Sequence, residues 1–168
     1  MAFAQVGTQA PSLSLLNQLG KTITLADYVG KKNVVVYFYP KAMTPGCTVQ
    51  ACGIRDAKNE FSAVDTVVLA VSPDSVDRLV KFEDKQELNF DLLSDEDHAV
   101  TEAFGAWGLK KFMGREYMGV IRSTFVIYKQ GAIAMVIVHI EHRNFCTSCG
   151  SNVMCRDCCI VEEAIPAV

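Results

Sequence analysis

The chain has 168 residues, half of them hydrophobic and 21% charged, which is the balance of a single globular domain with material for a substantial core. Its net charge of −3, with Lys and Arg scattered along the sequence, excludes the clustered basic surface that follows nucleic-acid phosphates. No apolar run approaches the roughly 20 residues needed to span a bilayer, so a helical membrane span is not expected.

The N-terminal Met-Ala-Phe-Ala-Gln has no basic segment ahead of a hydrophobic stretch and does not resemble a secretory signal, so a cytoplasmic, reducing setting is expected. Leu13 to Leu16 and Thr22 to Leu25 flank Asn17-Gln18-Leu19-Gly20, the pattern of a β-hairpin. Val34 to Tyr39 is an unbroken β-branched and aromatic run, as expected of a strand covered on both faces, and Pro40 ends it. After Pro45 and Gly46, the segment from Cys47 to about Phe61 places Cys47, Ala51, Ile54 and Phe61 on one face and predicts a helix despite Gly53.

Thr66 to Val71 is a second buried strand, and Ser72-Pro73-Asp74-Ser75 predicts a cap and helix start for an amphipathic stretch to about Lys85. Phe90 to Leu93 is a third strand. Asp95-Glu96-Asp97 reads most simply as a solvated, cap-rich loop, with a metal site as the alternative that three adjacent acids suggest, and a helix is expected from about His98 to Phe104. Phe104, Trp107 and Phe112 are expected in the core or a pocket wall. Arg122 to Tyr128 and Ile133 to Val138 predict a hairpin turning at Lys129-Gln130-Gly131. Strands alternating with helices call for parallel pairing through crossovers, giving an α/β domain with a mixed sheet and an N-terminal hairpin over residues 1–140. A compositional break near His139 sets off a Cys-rich tail over 141–168.

The seven cysteines form two groups. Cys47 stands where a buried strand hands over to a helix, and reaction sites in α/β sheets gather beyond the carboxyl ends of strands. A helix N-terminus favours thiolate over thiol through its free N–H groups and its dipole. An inert small hydrophobe is the plainer reading of a lone Cys there. The Thr44 hydroxyl, three residues earlier, has the reach to bond the sulfur and an incoming oxygen, or simply to cap the helix. Arg122 is a candidate for the fixed positive charge beside the sulfur, or an ordinary surface residue.

The stretch from Tyr37 to Asp56, YFYPKAMTPGCTVQACGIRD, closely resembles the peroxiredoxin Q subgroup, also called the bacterioferritin comigratory protein group, with its Pro-x-x-x-Thr-x-x-Cys signature. The stretches 88–98 (LNFDLLSDEDH), 104–108 (FGAWG) and 122–125 (RSTF) resemble it too, and the likeness runs from about residue 5 to 135. The resemblance implies a thioredoxin-like fold, reduction of hydrogen peroxide and organic hydroperoxides without metal or cofactor, regeneration by thioredoxin or a similar dithiol protein, and a monomer. It assigns Cys47 as the peroxidatic cysteine, Thr44 and Arg122 as its activating partners, Pro40 as a shield of the pocket, and Cys52 as the resolving cysteine that closes a disulfide with Cys47. Five helical residues hold two Cα atoms about 8 to 9 Å apart, beyond the disulfide limit of about 7 Å. Resolution by Cys52 therefore requires the first turns of the helix to unwind.

From about Val136 the likeness fails, because the group closes with an acidic loop and a long amphipathic helix. Here Cys146-x-x-Cys149 and Cys155-x-x-Cys158, followed by Cys159, form two knuckle-like pairs only five residues apart. A divergent or frame-shifted end, a four-thiolate zinc site and an auxiliary thiol relay are the readings this leaves. Two other functions compete for the whole chain. One is a disulfide oxidoreductase, which the Cys47-x4-Cys52 spacing disfavours, and the other is a zinc-dependent interaction module built on the tail.

Overall fold

The computed structural model describes residues 3–112, 114–139 and 159–162. β3 (Asn33–Phe38), β4 (Thr66–Ser72) and β5 (Asp91–Ser94) run parallel at the centre of the main sheet. β8 (Ser123–Ile127) lies antiparallel to β3, and β9 (Ile133–His139) antiparallel to β8. On the other side, β1 (Ser14–Asn17) pairs with β5, and β2 (Thr22–Thr24) pairs with β1. β10 (Cys159–Glu162), which the sequence did not announce, pairs with β9 at the edge. The order β10-β9-β8-β3-β4-β5-β1-β2 is a mixed sheet, as expected. The other cysteines of the tail, Cys146 to Cys158, lie outside the described residues, so the readings offered for them do too.

The central strand is covered on both faces because its side chains alternate between two cores. Val34, Val36 and Phe38 point into one core with Leu69, Val71, Leu93, Phe104 and Phe125. Val35, Tyr37 and Tyr39 point into the other with Leu79, Phe82, Leu92, Ala51 and Cys47. The second core is roofed by α1 (Pro45–Asp56) and α3 (Val76–Gln86), the first by α4 (Ala99–Ala103). Phe38 meets Phe125 edge-on at 5.7 Å and Phe104 at 5.2 Å, so three rings anchor the strand that leads to Cys47.

Several boundaries differ from expectation. The predicted helix over 47–61 starts at Pro45 and breaks at Ala57, giving α1 and a short α2 (Lys58–Ala63). Ala57 leaves helical geometry at ψ 8°, so the chain turns there and still lays Ile54 and Phe61 against the same core. The third strand begins at Asp91 rather than Phe90, and His98 caps α4 from a left-handed conformation (φ 63°). Asp95 is a correction, because it is fully buried rather than solvated. Its carboxylate accepts from the N–H groups of Val100 and Thr101 and from the Thr101 hydroxyl, satisfying the orphan donors of α4. A two-stranded hairpin of β6 (Trp107–Phe112) and β7 (Arg115–Val120) was also not anticipated. Trp107 in it stacks on His98 at 3.9 Å, while Phe104 is a core residue as expected.

Removing the Phe38 ring by Phe38→Ala is expected to cost about 3–5 kcal/mol of stability. Leu19→Ala, at a hairpin tip where the side chain is 78% exposed, is expected to change stability by less than about 0.5 kcal/mol. Urea unfolding with an unchanged m-value checks both, and near-equal effects would contradict the assignment of Phe38 to the core.

Candidate active site around Cys47

β3 ends at Phe38, and the chain passes through Tyr39, Pro40 and a short loop into α1. Thr44 is the N-cap residue with extended backbone (φ −86°, ψ 150°), Pro45 opens the helix, and the Thr48 N–H makes its first bond to the Thr44 carbonyl at 2.9 Å. Cys47 therefore lies in the first turn, where the N–H groups of Gly46 and Cys47 have no acceptor further back in the helix. That turn carries no acidic side chain. The position is thus electropositive, and Cys47 occupies it with only 2% of its surface exposed.

Arg122 closes the site from the sheet side. The antiparallel register pairs Phe38 with Ser123, so the residue before Ser123 comes to the end of β3 where the loop to Cys47 departs. Arg122 Nη2 lies 3.2 Å from Cys47 Sγ, and Nη1 donates to Gln50 Oε1 at 2.5 Å. Gly46 lies directly beside this guanidinium, with a built Cβ 3.7 Å from Nη2, an ordinary contact distance. A planar cation with one edge on the sulfur and another on an amide is fixed in direction as well as charge.

Gln50 is a site residue that sequence reasoning missed. Its signal was there in the spacing, because residues three apart share a helix face and Gln50 stands three after Cys47. Thr44 sits beside the helix start, where its hydroxyl donates to the Lys41 carbonyl at 2.9 Å rather than capping the helix. With the proton committed there, the oxygen lone pairs are the part of this hydroxyl left for other partners. Pro40 is half-buried in the loop between the end of β3 and α1.

Two phenols line the buried side. Burial pushes the Tyr37 and Tyr39 phenols well above their ordinary range. Cys52 is on the same helix, half-buried, with its thiol 3.6 Å from Gln86 Oε1 at the end of α3. Arg55 Nη1 donates to the Gln86 carbonyl at 2.6 Å, and Asn89 Nδ2 donates to the Arg55 carbonyl at 3.1 Å. The later turns of α1 are thereby tied to the end of α3. Both cysteines are free thiols.

A buried sulfur at an open helix N-terminus, touched by a guanidinium, is equipped to act as a nucleophile on a small substrate. Comparison with known proteins agrees with this chemistry. Residues 6–136 match the AhpC/TSA family. The bcp protein of Haemophilus influenzae is 56% identical over 131 residues, covering 78% of this chain and 84% of its own. The peroxiredoxin Bcp of Bacillus subtilis is 50% identical over 129 residues, covering 77% and 82%. Among solved structures, the bacterioferritin comigratory protein of Xanthomonas campestris aligns with a TM-score of 0.72 at 33% identity, covering 77% of this chain and 82% of that one. Mycobacterium tuberculosis BcpB aligns at 0.71 and 34%, covering 79% and 84%. With the mixed sheet flanked by helices that these thioredoxin-fold enzymes share, the chain belongs to the AhpC/TSA family as a thiol peroxidase of the Bcp, or peroxiredoxin Q, group.

Proposed function

We propose that Cys47 is the peroxidatic residue and that the protein reduces hydrogen peroxide and organic hydroperoxides through a Cys47–Cys52 disulfide. The observation that carries this reading is the 3.2 Å approach of Arg122 Nη2 to the buried Cys47 sulfur. The Xanthomonas campestris relative, described by its alkyl peroxide reduction activity, supports extending the substrates beyond hydrogen peroxide.

In the first step the Cys47 thiolate attacks one oxygen of the hydroperoxide. An S–O bond forms, the O–O bond breaks, and the leaving oxygen takes a proton from solvent, equivalent to the one the Cys47 thiol lost on ionising, to become water or an alcohol. The guanidinium and the free N–H groups of the first turn stabilise charge that shifts from sulfur to oxygen. Thr44 accepts a hydrogen bond from the bound hydroperoxide on its free lone pairs, which orients it, while Pro40 shields the sulfur from bulk water. The product is a sulfenic acid on Cys47.

In the second step the Cys52 sulfur attacks that of the sulfenic acid, forming the S–S bond and expelling the oxygen as water. Both residues lie within α1, where their Cα atoms are about 8–9 Å apart by helical geometry. The turns between them must therefore open, releasing Cys52 and Arg55 from Gln86 and Asn89. Gly53, a weak helix residue at about 1 kcal/mol below Ala, lowers the cost. A thioredoxin-type dithiol then reopens the disulfide by exchange.

Stopped-flow oxidation with peptide mapping of the modified thiols tests the assignment. Cys47→Ser is expected to abolish peroxide turnover. Cys52→Ser is expected to keep the first oxidation and accumulate sulfenic acid on Cys47. Turnover surviving in Cys47→Ser would overturn the reading. Hydrogen exchange tests the unwinding separately: the disulfide form is expected to lose protection across residues 44–56, and unchanged protection with the disulfide formed would rule it out.

A further inference from the structure

The loop that delivers Thr44 and Cys47 is held at one residue, Ala42, which is fully buried. Its N–H donates to Asp74 Oδ2 at 2.6 Å, and its carbonyl accepts from Arg78 Nη2 at 3.0 Å. Arg78 Nε in turn lies 2.9 Å from Asp74 Oδ1. One acid–base pair, a helical turn apart at the start of α3, thus takes both polar groups of a single backbone residue. Asp74 is itself braced, since Oδ2 also accepts from the Ser72 hydroxyl at 3.0 Å and its own carbonyl accepts from the Ser94 hydroxyl at 2.7 Å.

The next residue in the chain explains the need for such a clamp. Met43 is in the left-handed region at φ 64°, a conformation that strains any residue with a Cβ. Such a kink persists only where neighbours over-determine it. Directly after it, the Thr44 hydroxyl takes its direction from the Lys41 carbonyl, so residues on both sides of the clamped Ala42 set where that hydroxyl stands. With the Arg78 side chain 36% exposed, the ion pair is by itself weak evidence for stabilisation. A pair spent on both backbone groups of the loop before the reactive cysteine points to geometry instead.

We propose that Asp74 and Arg78 are positioning residues of the peroxidase site, which hold the 41–44 loop so that Thr44 and the first-turn N–H groups are aimed at the attacked hydroperoxide. The inference rests on the reading of Cys47 as the peroxidatic residue. It separates two rates on the same sulfur. Oxidation by hydrogen peroxide needs the aimed groups, whereas alkylation by iodoacetamide needs a nucleophilic sulfur but no hydroxyl to orient a peroxide.

Both rate constants are measured at Cys47, by peptide mapping, in the wild type, Asp74→Asn, Arg78→Met and Arg78→Lys, at a temperature where circular dichroism shows each folded. In Asp74→Asn and Arg78→Met, peroxide oxidation is expected to fall about 10- to 100-fold, the range that misplacement of reacting groups produces. Alkylation is expected to stay within about threefold of wild type, and Arg78→Lys, which keeps the charge but loses the fork, to be intermediate. Should Asp74→Asn and Arg78→Met fail to fold, Arg78→Lys carries the test through the same ratio of rates. Loss of both rates in parallel, or of neither, overturns the proposal. A wild type that reacts with peroxide at a thiol other than Cys47 overturns the underlying reading and this inference with it.

Discussion

A guanidinium edge 3.2 Å from a buried sulfur is the contact on which the rest of this molecule is organised. Cys47 has almost no solvent to stabilise a negative charge, so whatever favours the anion must come from fixed protein groups. Two supplies converge there, the unsatisfied N–H groups of a helix start and the cation of Arg122. Gln50 holds the far edge of that cation from the same helix, so sulfur, amide and guanidinium form one unit across the boundary between α1 and the sheet.

The sheet makes this convergence possible. Cys47 and Arg122 are 75 residues apart, and what brings them together is the antiparallel pairing of β3 with β8, with Tyr37 opposite Thr124 and Phe38 opposite Ser123. A one-residue slip in that register would turn Phe125 out of the aromatic core and move Arg122 along the strand. The rings of Phe38, Phe104 and Phe125 therefore specify the active site as well as the core. The far end of α1 is held differently, with Cys52 and Arg55 tied to Gln86 by contacts that the proposed resolution by Cys52 would break. Under that proposal the two ends of one helix differ in role, the first turn holding geometry and the later turns releasing Cys52.

Much of this was legible in the sequence because it depends on local pattern. The unbroken run from Val34 to Tyr39 can be satisfied only by a strand covered on both faces, and it is so covered. Ser75 before an amphipathic stretch marked α3, and Gly131, at φ 83°, marked the hairpin between β8 and β9. Cys47 at the strand-to-helix junction was legible for the same reason. Features that depend on contacts distant in the chain were not legible. Asp95 is the local exception: it looks solvated beside Glu96 and Asp97, yet it accepts from the start of α4 only five and six residues on. Asp74 and Arg78 form a visible i,i+4 pair, but nothing local says that their common target is Ala42, some thirty residues earlier. Among the described residues the β6–β7 hairpin pairs only with itself, and β7 is exposed from Arg115 to Met118 before it buries Gly119 and Val120.

Whether Arg122 makes this sulfur reactive toward hydroperoxide is decided by the second-order rate constant for Cys47 oxidation in Arg122→Met, a variant that keeps much of the volume and removes the charge and its directed hydrogen bonds. The rate is expected to fall at least about 100-fold, the scale of losing one well-placed electrostatic stabiliser, with the fold intact by circular dichroism. A folded Arg122→Met protein that is oxidised at Cys47 as fast as wild type would show that the guanidinium is not what activates the sulfur.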